Sequence, residues 1–356
     1  MRAWYCTRED VMSAPDFKES ARNSRQIDRA IASATAAVAD MCHREFSPGL
    51  ATRYFSWPNL TYARPWRLWL DEFELLQVTS ITTGGVLLDQ SEYFLEPVND
   101  PPFDRVEINL GSQASFTAST TFQRSIAITG LWGYSDNQES VASLVSPVTS
   151  TSTSIDVDNS ENIGVGDTLV VNQERMTVTG KAARNSGQTL LISVASNIAA
   201  NTLSVADGEE FHQDEILLVD GERMLVLDIA GNTLGVKRSW DGSPLAAHAN
   251  GAAIYVVGWT LNVTRGAQGT TAQSHDLPTV IQRWCPPDQV HTCTIAIAVD
   301  TVLQEISGYS RTIGPGPAKS SGGGNKNTNL ATGGALQAVK DSCYNAVGRK
   351  GRKYAV

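Results

Sequence analysis

Val165-Gly-Asp-Thr-Leu-Val-Val-Asn-Gln-Glu-Arg-Met-Thr-Val178 and Gln213-Asp-Glu-Ile-Leu-Leu-Val-Asp-Gly-Glu-Arg-Met-Leu-Val226 are two versions of one pattern. Each sets a turn between two alternating runs and opens the second run with Glu-Arg-Met, the signature of a β-hairpin. A second pair of copies follows. Leu234-Gly-Val-Lys-Arg-Ser-Trp-Asp-Gly-Ser243 matches Leu261-Asn-Val-Thr-Arg-Gly-Ala-Gln-Gly-Thr270, and His248 and His275 each stand 14 residues beyond the leucine. Such duplication predicts a small β-barrel or sandwich of related hairpins over residues 140–276, entered through a polar bridge at 140–154. Within it Glu174–Arg175 and Glu222–Arg223 read as cross-strand charge pairs. His248 and His275, with the upstream Arg238 and Arg265, read as braces for the turns at Asp241-Gly242 and Gln268-Gly269. A duplicated position serves a repeated contact more readily than one active site.

Towards the N-terminus, residues 48–139 carry strand-like runs (ATRYFSW, RLWLDEFELLQVTSITTGG, VLLDQSEYFLEP, RVEINL, RSIAITGLWGYS) rich in β-branched and aromatic residues. Gly84-Gly85 lies between two of them as a hairpin turn. Trp57, Trp66, Trp69 and Trp132 mark a core or a subunit interface. Before this section the pattern is helical. Thr7 and Asp10 form a capping box for a short first helix that ends near Pro15. A longer helix over 20–44 places Ile27, Ile31, Ala34, Val38 and Met41 on one stripe of a 3.6-residue period. Its alanines make it slim enough to pack closely against a neighbour.

Beyond Pro278 a helix is again expected, with Ile295, Val299, Val302, Leu303 and Ile306 at helical spacing. The overall expectation is an α+β chain: a small helical bundle from 1–47 and 277–312, a β unit over 48–139, and the duplicated domain inserted over 140–276. A flexible Gly/Pro/Ser/Asn linker over 313–334 leads to a basic helix and tail over 335–356. The formal net charge is −9, yet from Lys319 onward there are seven basic residues and one acidic, a balance of +6 that leaves −15 on the rest. A basic tail on an acidic body points to an acidic partner for the tail, either a protein groove or nucleic acid, the alternative being a solvated terminus.

Reaction chemistry is not evident. SSGGGNKN lacks the spacing of a phosphate loop, and neither a GxSxG elbow nor an HExxH pair is present. Cys285, His291 and Cys293 match no common zinc spacing, and the acidic run at Asp207, Glu209 and Glu210 matches no calcium loop. The five scattered cysteines (6, 42, 285, 293, 343) do not suggest a disulfide framework and fit synthesis in a reducing cytoplasm. No apolar run approaches the roughly 20 residues of a membrane span, and the opening residues lack the build of a secretory signal. The expectation is a soluble structural protein with no catalytic residues, cofactor or metal.

REDVMSAP…QIDRAIASATAAVADMCHREFSP followed by RYFSWP resembles the head–tail connector (adaptor) proteins of long-tailed bacteriophages. So do RLWLDEFELLQVTSITTGGVLLDQSEYFLEP, RVEINL and FQRSIAITGLWGYS, closing on Gly133-Tyr134. The resemblance covers about 4–136 and 277–312; the insertion at 140–276 is a departure from it. It implies a virion neck protein, made in the host cytoplasm, that forms a ring of twelve subunits beneath the portal. Such a ring extends the DNA channel without sequence-specific binding and offers a platform to a stopper or tail-terminator protein. On this basis Leu336, Val339, Tyr344, Arg349, Lys350, Arg352 and Lys353 are expected to bind the portal, and Ile27, Ile31, Ala34, Val38 and Met41 to pack between subunits. The alternative is a tail or baseplate protein whose β domain binds a partner or a host-surface ligand. An enzyme using His248 or His275, such as a wall hydrolase, is the remaining possibility.

Overall fold

The computed structural model describes residues 2–14, 23–58, 64–306 and 328–349. It is an α+β chain, 36% strand and 21% helix, with large antiparallel sheets. Helix α1 (Arg8–Met12) carries the expected capping box: the Thr7 hydroxyl accepts from Asp10 N at 3.1 Å, and the Asp10 carboxylate accepts from Thr7 N at 2.7 Å. Helix α2 (Ser24–Cys42) is capped by Asn23 and stopped by His43 in the left-handed conformation. Helix α3 (Asp288–Ile306) lies against α2, and α4 (Thr328–Val347) lies against α3 and the end of α2.

The stripe on α2 is spent inside the chain. Ile27, Ile31 and Ala34 are buried beneath α1 and α3, with Val11, Ala298 and Val302 among their neighbours, while Val38 is buried in the adjoining cluster of Phe46, Trp284 and Cys293 and Met41 packs against it. Ile27, Ile31, Ala34 and Val38, expected to pack between subunits, are therefore closed to a neighbouring subunit, and Met41 is half-buried. The residues that α2 leaves exposed are Ser24, Arg25 and Arg29 in its first turns and Ala32, Ser33, Ala37 and Asp40 beyond them.

The unit after α2 holds two small sheets around one core. Strands β1 (Gly49–Phe55), β7 (Ile126–Trp132), β3 (Leu75–Thr83) and β4 (Val86–Leu87) form the first, with the Gly84-Gly85 turn joining β3 to β4 as expected. Strands β2 (Arg67–Trp69), β6 (Arg105–Ile108) and β5 (Tyr93–Glu96) form the second. Trp57 and Trp132 are core residues, whereas Trp69 lies beside the guanidinium groups of Arg67 and Arg105.

The inserted region is not a closed barrel. Its strands run in the order β12-β15-β14-β13-β16-β11-β10-β17-β8, with β9 added on β16. Here β8 is Gln138–Ser143, β9 Ser154–Asp156, β10 Thr168–Val171, β11 Glu174–Thr189 and β12 Thr202–Ser204. The remainder are β13 Ile216–Val219, β14 Glu222–Ala230, β15 Thr233–Lys237, β16 Ala253–Thr264 and β17 Val280–Trp284. The polar bridge at 140–154 is thus partly strand, and β17 belongs to this sheet, so the helical segment begins at Asp288 rather than 277.

The two copies are nested. One module occupies 190–256; the other is split around it, 144–178 before and 261–283 after. The pairing scheme is the same in both. β9 pairs the far half of β16 (Ile155 opposite Leu261) as β12 pairs β15 (Leu203 opposite Leu234). β10 pairs β17 (Val171 opposite Ile281), and β13 pairs the near half of β16 (Leu217 opposite Val256). The cores correspond residue for residue: Leu144, Val148, Val157, Leu169, Met176 and Val263 in the split module, Leu190, Val194, Val205, Leu217, Met224 and Val236 in the inner one. The long β11 and β16 run through both modules, and β16 bends at Gly258 (φ +114°), where a Cβ would meet the Ser160 side chain at 2.8 Å.

The ends of the inner module meet, since Leu190 N donates to Ala252 O and Gly251 N to Leu190 O. With its own buried core, a fragment of residues 188–260 is expected to fold alone and to unfold in urea as one cooperative transition. A fragment without a transition would show that the inner core depends on the outer module.

Candidate functional site

The sequence-derived charge pairing is corrected by the structure. Glu222 does not pair with Arg223. It accepts from Arg238 Nε (2.7 Å) and Nη2 (2.8 Å), from Ser239 N and Ala246 N (both 2.9 Å), and faces His248 Nε2 at 2.9 Å. Glu174 repeats this with Arg265 Nε and Nη2 (both 2.7 Å), Gly266 N, Gln273 N and His275 Nε2 (2.8 Å). Each arginine spends its other N–H groups on backbone carbonyls: Ala195, Ala200 and Ala246 for Arg238, and Thr149, Ser152 and Gln273 for Arg265. The adjacent arginines go elsewhere, Arg175 to Asp136 and Arg223 to Asp241. The reason is strand geometry: consecutive residues point to opposite faces, so the Glu enters the module and the Arg beside it leaves.

These clusters tie the start, the middle and the end of each module together. Burial alone would raise both carboxyls, yet the hydrogen bonds from arginine, backbone and histidine outweigh it and hold Glu174 and Glu222 at about 2. The second nitrogen of His248 faces Asp220 at 3.0 Å, and that of His275 faces the Asn172 amide at 3.2 Å. Both rings are buried and both nitrogens of each are engaged. Neither histidine offers a free base, which is the structural role expected, although each braces the hairpin glutamate rather than the turn named above.

A cleft of about 540 Å3 lies between α1 and the two modules. Asp167 and Glu215 hold equivalent positions in the two copies and both line it. Each accepts from a backbone N–H three residues earlier, Gly164 at 2.7 Å and His212 at 3.0 Å. The N-terminal segment closes one side. Arg8 N donates to Val165 O, the Glu9 carboxylate accepts from Val165 N, and Trp4 and Thr7 lie so close to Gly166 and Gly164 that a Cβ would approach them to 2.3 and 2.5 Å. Helix α1 therefore clamps the inserted region to the helical layer. The cleft's thiols are not activated: burial raises Cys6 well above its ordinary value and also raises Cys285.

Burial pushes the Asp167 carboxyl from 3.8 up to about 7, against the opposing pull of Arg283 and Gly164 N. A carboxyl whose pKa is higher folded than unfolded contributes most stability below 3.8, and that contribution is lost as the pH rises through 7, at up to about 1.4 kcal/mol per pH unit. Asp167→Asn is therefore expected to flatten the pH dependence of the urea midpoint between pH 4 and 7 and to raise the midpoint at pH 8. An unchanged slope would exclude Asp167 as its source.

The C-terminal residues expected at a portal contact are not all available. Val339 packs on the helical layer in line with the buried Cys343 and Val347, so it is not an outward anchor. Leu336 is half-buried, and Tyr344 is exposed. Arg349 donates through Nη2 to Asp71 O at 2.5 Å and through Nη1 to Glu72 O. Lys350, Arg352 and Lys353 lie outside the described residues. Sequence reasoning missed the meeting of Cys42, Cys293 and Cys343, for which spacing along the chain carries no signal.

Among the described residues no group of three or more His, Cys, Asp or Glu is placed to hold a metal ion. No described helix is long and apolar enough to cross a membrane. No known protein family, curated protein or solved structure matches the chain.

Proposed function

We propose that this chain is a structural virion protein, a head–tail connector (adaptor) ring subunit that binds beneath the portal of a long-tailed phage. The observation that carries the reading is the packing of α2 on α3. Helices from distant parts of the chain form one layer, the β unit of residues 49–132 follows α2 directly, and the nested modules are clamped to that layer by α1. In this reading the helices are the connector bundle and twelve copies close into a ring through a heterologous interface. With the α2 stripe buried, the inter-subunit contact falls to outward faces such as Ala32, Ser33 and Ala37. The portal contact falls to Leu336, Tyr344 and the basic residues from Arg349 onward. The acidic body would leave passing DNA unbound, because lysine and arginine contacts to phosphate dominate non-specific affinity.

The second reading, a tail or baseplate protein whose β domain binds a ligand, draws on the exposed Leu191, Ile192 and Ile198 of the inner module. Negative-stain images of the purified protein with and without portal discriminate the two. Rings that stack on the portal are expected; trimers with the inner module at the tip, and no association with portal, would overturn the connector reading.

A further inference from the structure

Three of the five cysteines come from three different helices and meet at one buried point. Cys42 ends α2, Cys293 lies near the start of α3, and Cys343 lies in α4; none is more than 1% exposed. The sulfurs of Cys42 and Cys343 are 3.9 Å apart, and Cys293 lies in the same buried cluster. Here α4 is fixed to the rest of the chain. Its stripe of Val339, Cys343 and Val347 faces the helical layer, and just beyond its end Arg349 N donates to the backbone oxygen of Cys42 itself at 2.9 Å. Cys42 is thus held by the C-terminal segment through both its carbonyl and its side chain.

We propose that Cys42 and Cys343 are a redox-active thiol pair, and that their oxidation by a disulfide-class oxidant staples the C-terminal helix to α2. The step is thiol–disulfide exchange. The Cys42 thiolate attacks one sulfur of a small-molecule disulfide, forming a mixed disulfide and releasing one thiolate. Cys343, deprotonated as it attacks, then bonds to the Cys42 sulfur and expels the second thiolate. Two protein thiols are oxidised, one external disulfide is reduced to two thiols, and the two protons pass to solvent and the released thiolates. The assignment of Cys42 as attacker follows the contact and its electrostatics: the hydrogen bond with Cys343 lowers the Cys42 thiol against the effect of burial, whereas the neighbouring Cys293 and Cys42 thiols raise Cys343. Cys293 lines the same buried cluster and is the competing partner for Cys343. Because all three sulfurs are buried, exchange requires α4 to lift transiently, and the bond, once formed, prevents it from lifting again.

The test uses the full chain, folded, incubated with oxidised glutathione, then alkylated, denatured and cut with trypsin without reductant. A peptide of residues 30–44 joined to a peptide of residues 341–349 is expected, and it separates on addition of dithiothreitol. The oxidised protein is also expected to show slower amide exchange in α4 than the reduced protein. Cys42→Ser and Cys343→Ser abolish the joined peptide and the slowing; Cys293→Ser retains the joined peptide. The wild-type peptide map suffices even if a serine variant does not fold. No joined peptide, a bond from Cys343 to Cys293 instead, or a bond that appears only after denaturation would overturn the proposal.

Discussion

Glu222→Ala is expected to cost about 3–5 kcal/mol of folding stability, the loss found when one partner of a buried ion pair is removed and the other stays buried. The Arg238 and His248 side chains are fully buried beside it, and removal of the carboxylate also leaves Ser239 N and Ala246 N without their acceptor. Urea unfolding of the full chain, or of residues 188–260 alone, measures the loss. Arg223→Ala is the control, since Arg223 meets Asp241 with about half of its side chain in solvent; about 0–1 kcal/mol is expected there. Comparable losses for the two variants would restore the adjacent-pair reading and remove the buried cluster as the keystone.

The same cluster sets an acid limit. Glu222 titrates at about 2 in the folded chain, below its ordinary 4.5, so its contribution is complete above 4.5 and disappears as the pH falls through 2. Glu174 follows the same course. Wild-type stability should therefore fall between pH 4.5 and 2, and Glu222→Ala should fall less steeply over that interval.

Ile31→Ala is expected to cost about 2–5 kcal/mol, because a fully buried branched side chain between α2, α1 and α3 would leave a cavity that rigid helices fill poorly. Urea unfolding followed by helical circular dichroism measures it, and a loss below about 1 kcal/mol would mean that α2 is not held by this contact. Ala32→Asp is the informative companion. Ala32 is exposed on the next position of the same helix, so monomer stability should change by no more than about 0.5 kcal/mol. If that face meets a neighbouring subunit, as the proposed ring would require, the same substitution should abolish rings in negative stain while the chain stays folded.

Much of this architecture was written locally. The Thr7–Asp10 capping box, the 3.6-residue stripe of α2 and the Gly84-Gly85 turn each depend on neighbours within a few residues, and each stands in the structure where the pattern placed it. The boundary at 277 went astray for a local reason as well: a five-residue strand of the kind at Val280–Trp284, followed by Pro286 and Pro287, leaves too short a pattern to separate from the helix after it. The candidate sites were less legible. The repeat spacing set His248 beside Arg238, but the joining of both to Glu222, and the meeting of Cys42 with Cys343, are pairings that no spacing announces.

By itself the sequence determined the kinds of element, their order, and the fact that the middle of the chain is duplicated, because periodicity, caps and repeats are properties of short windows. Only the tertiary structure decided that one copy sits inside the other, that the α2 stripe is consumed within its own chain, and that each hairpin glutamate turns inward to a distant arginine. Those outcomes depend on which strands pair and which faces are covered. That is settled by the burial of the whole apolar surface at once, and by the cost of leaving any charge alone inside it.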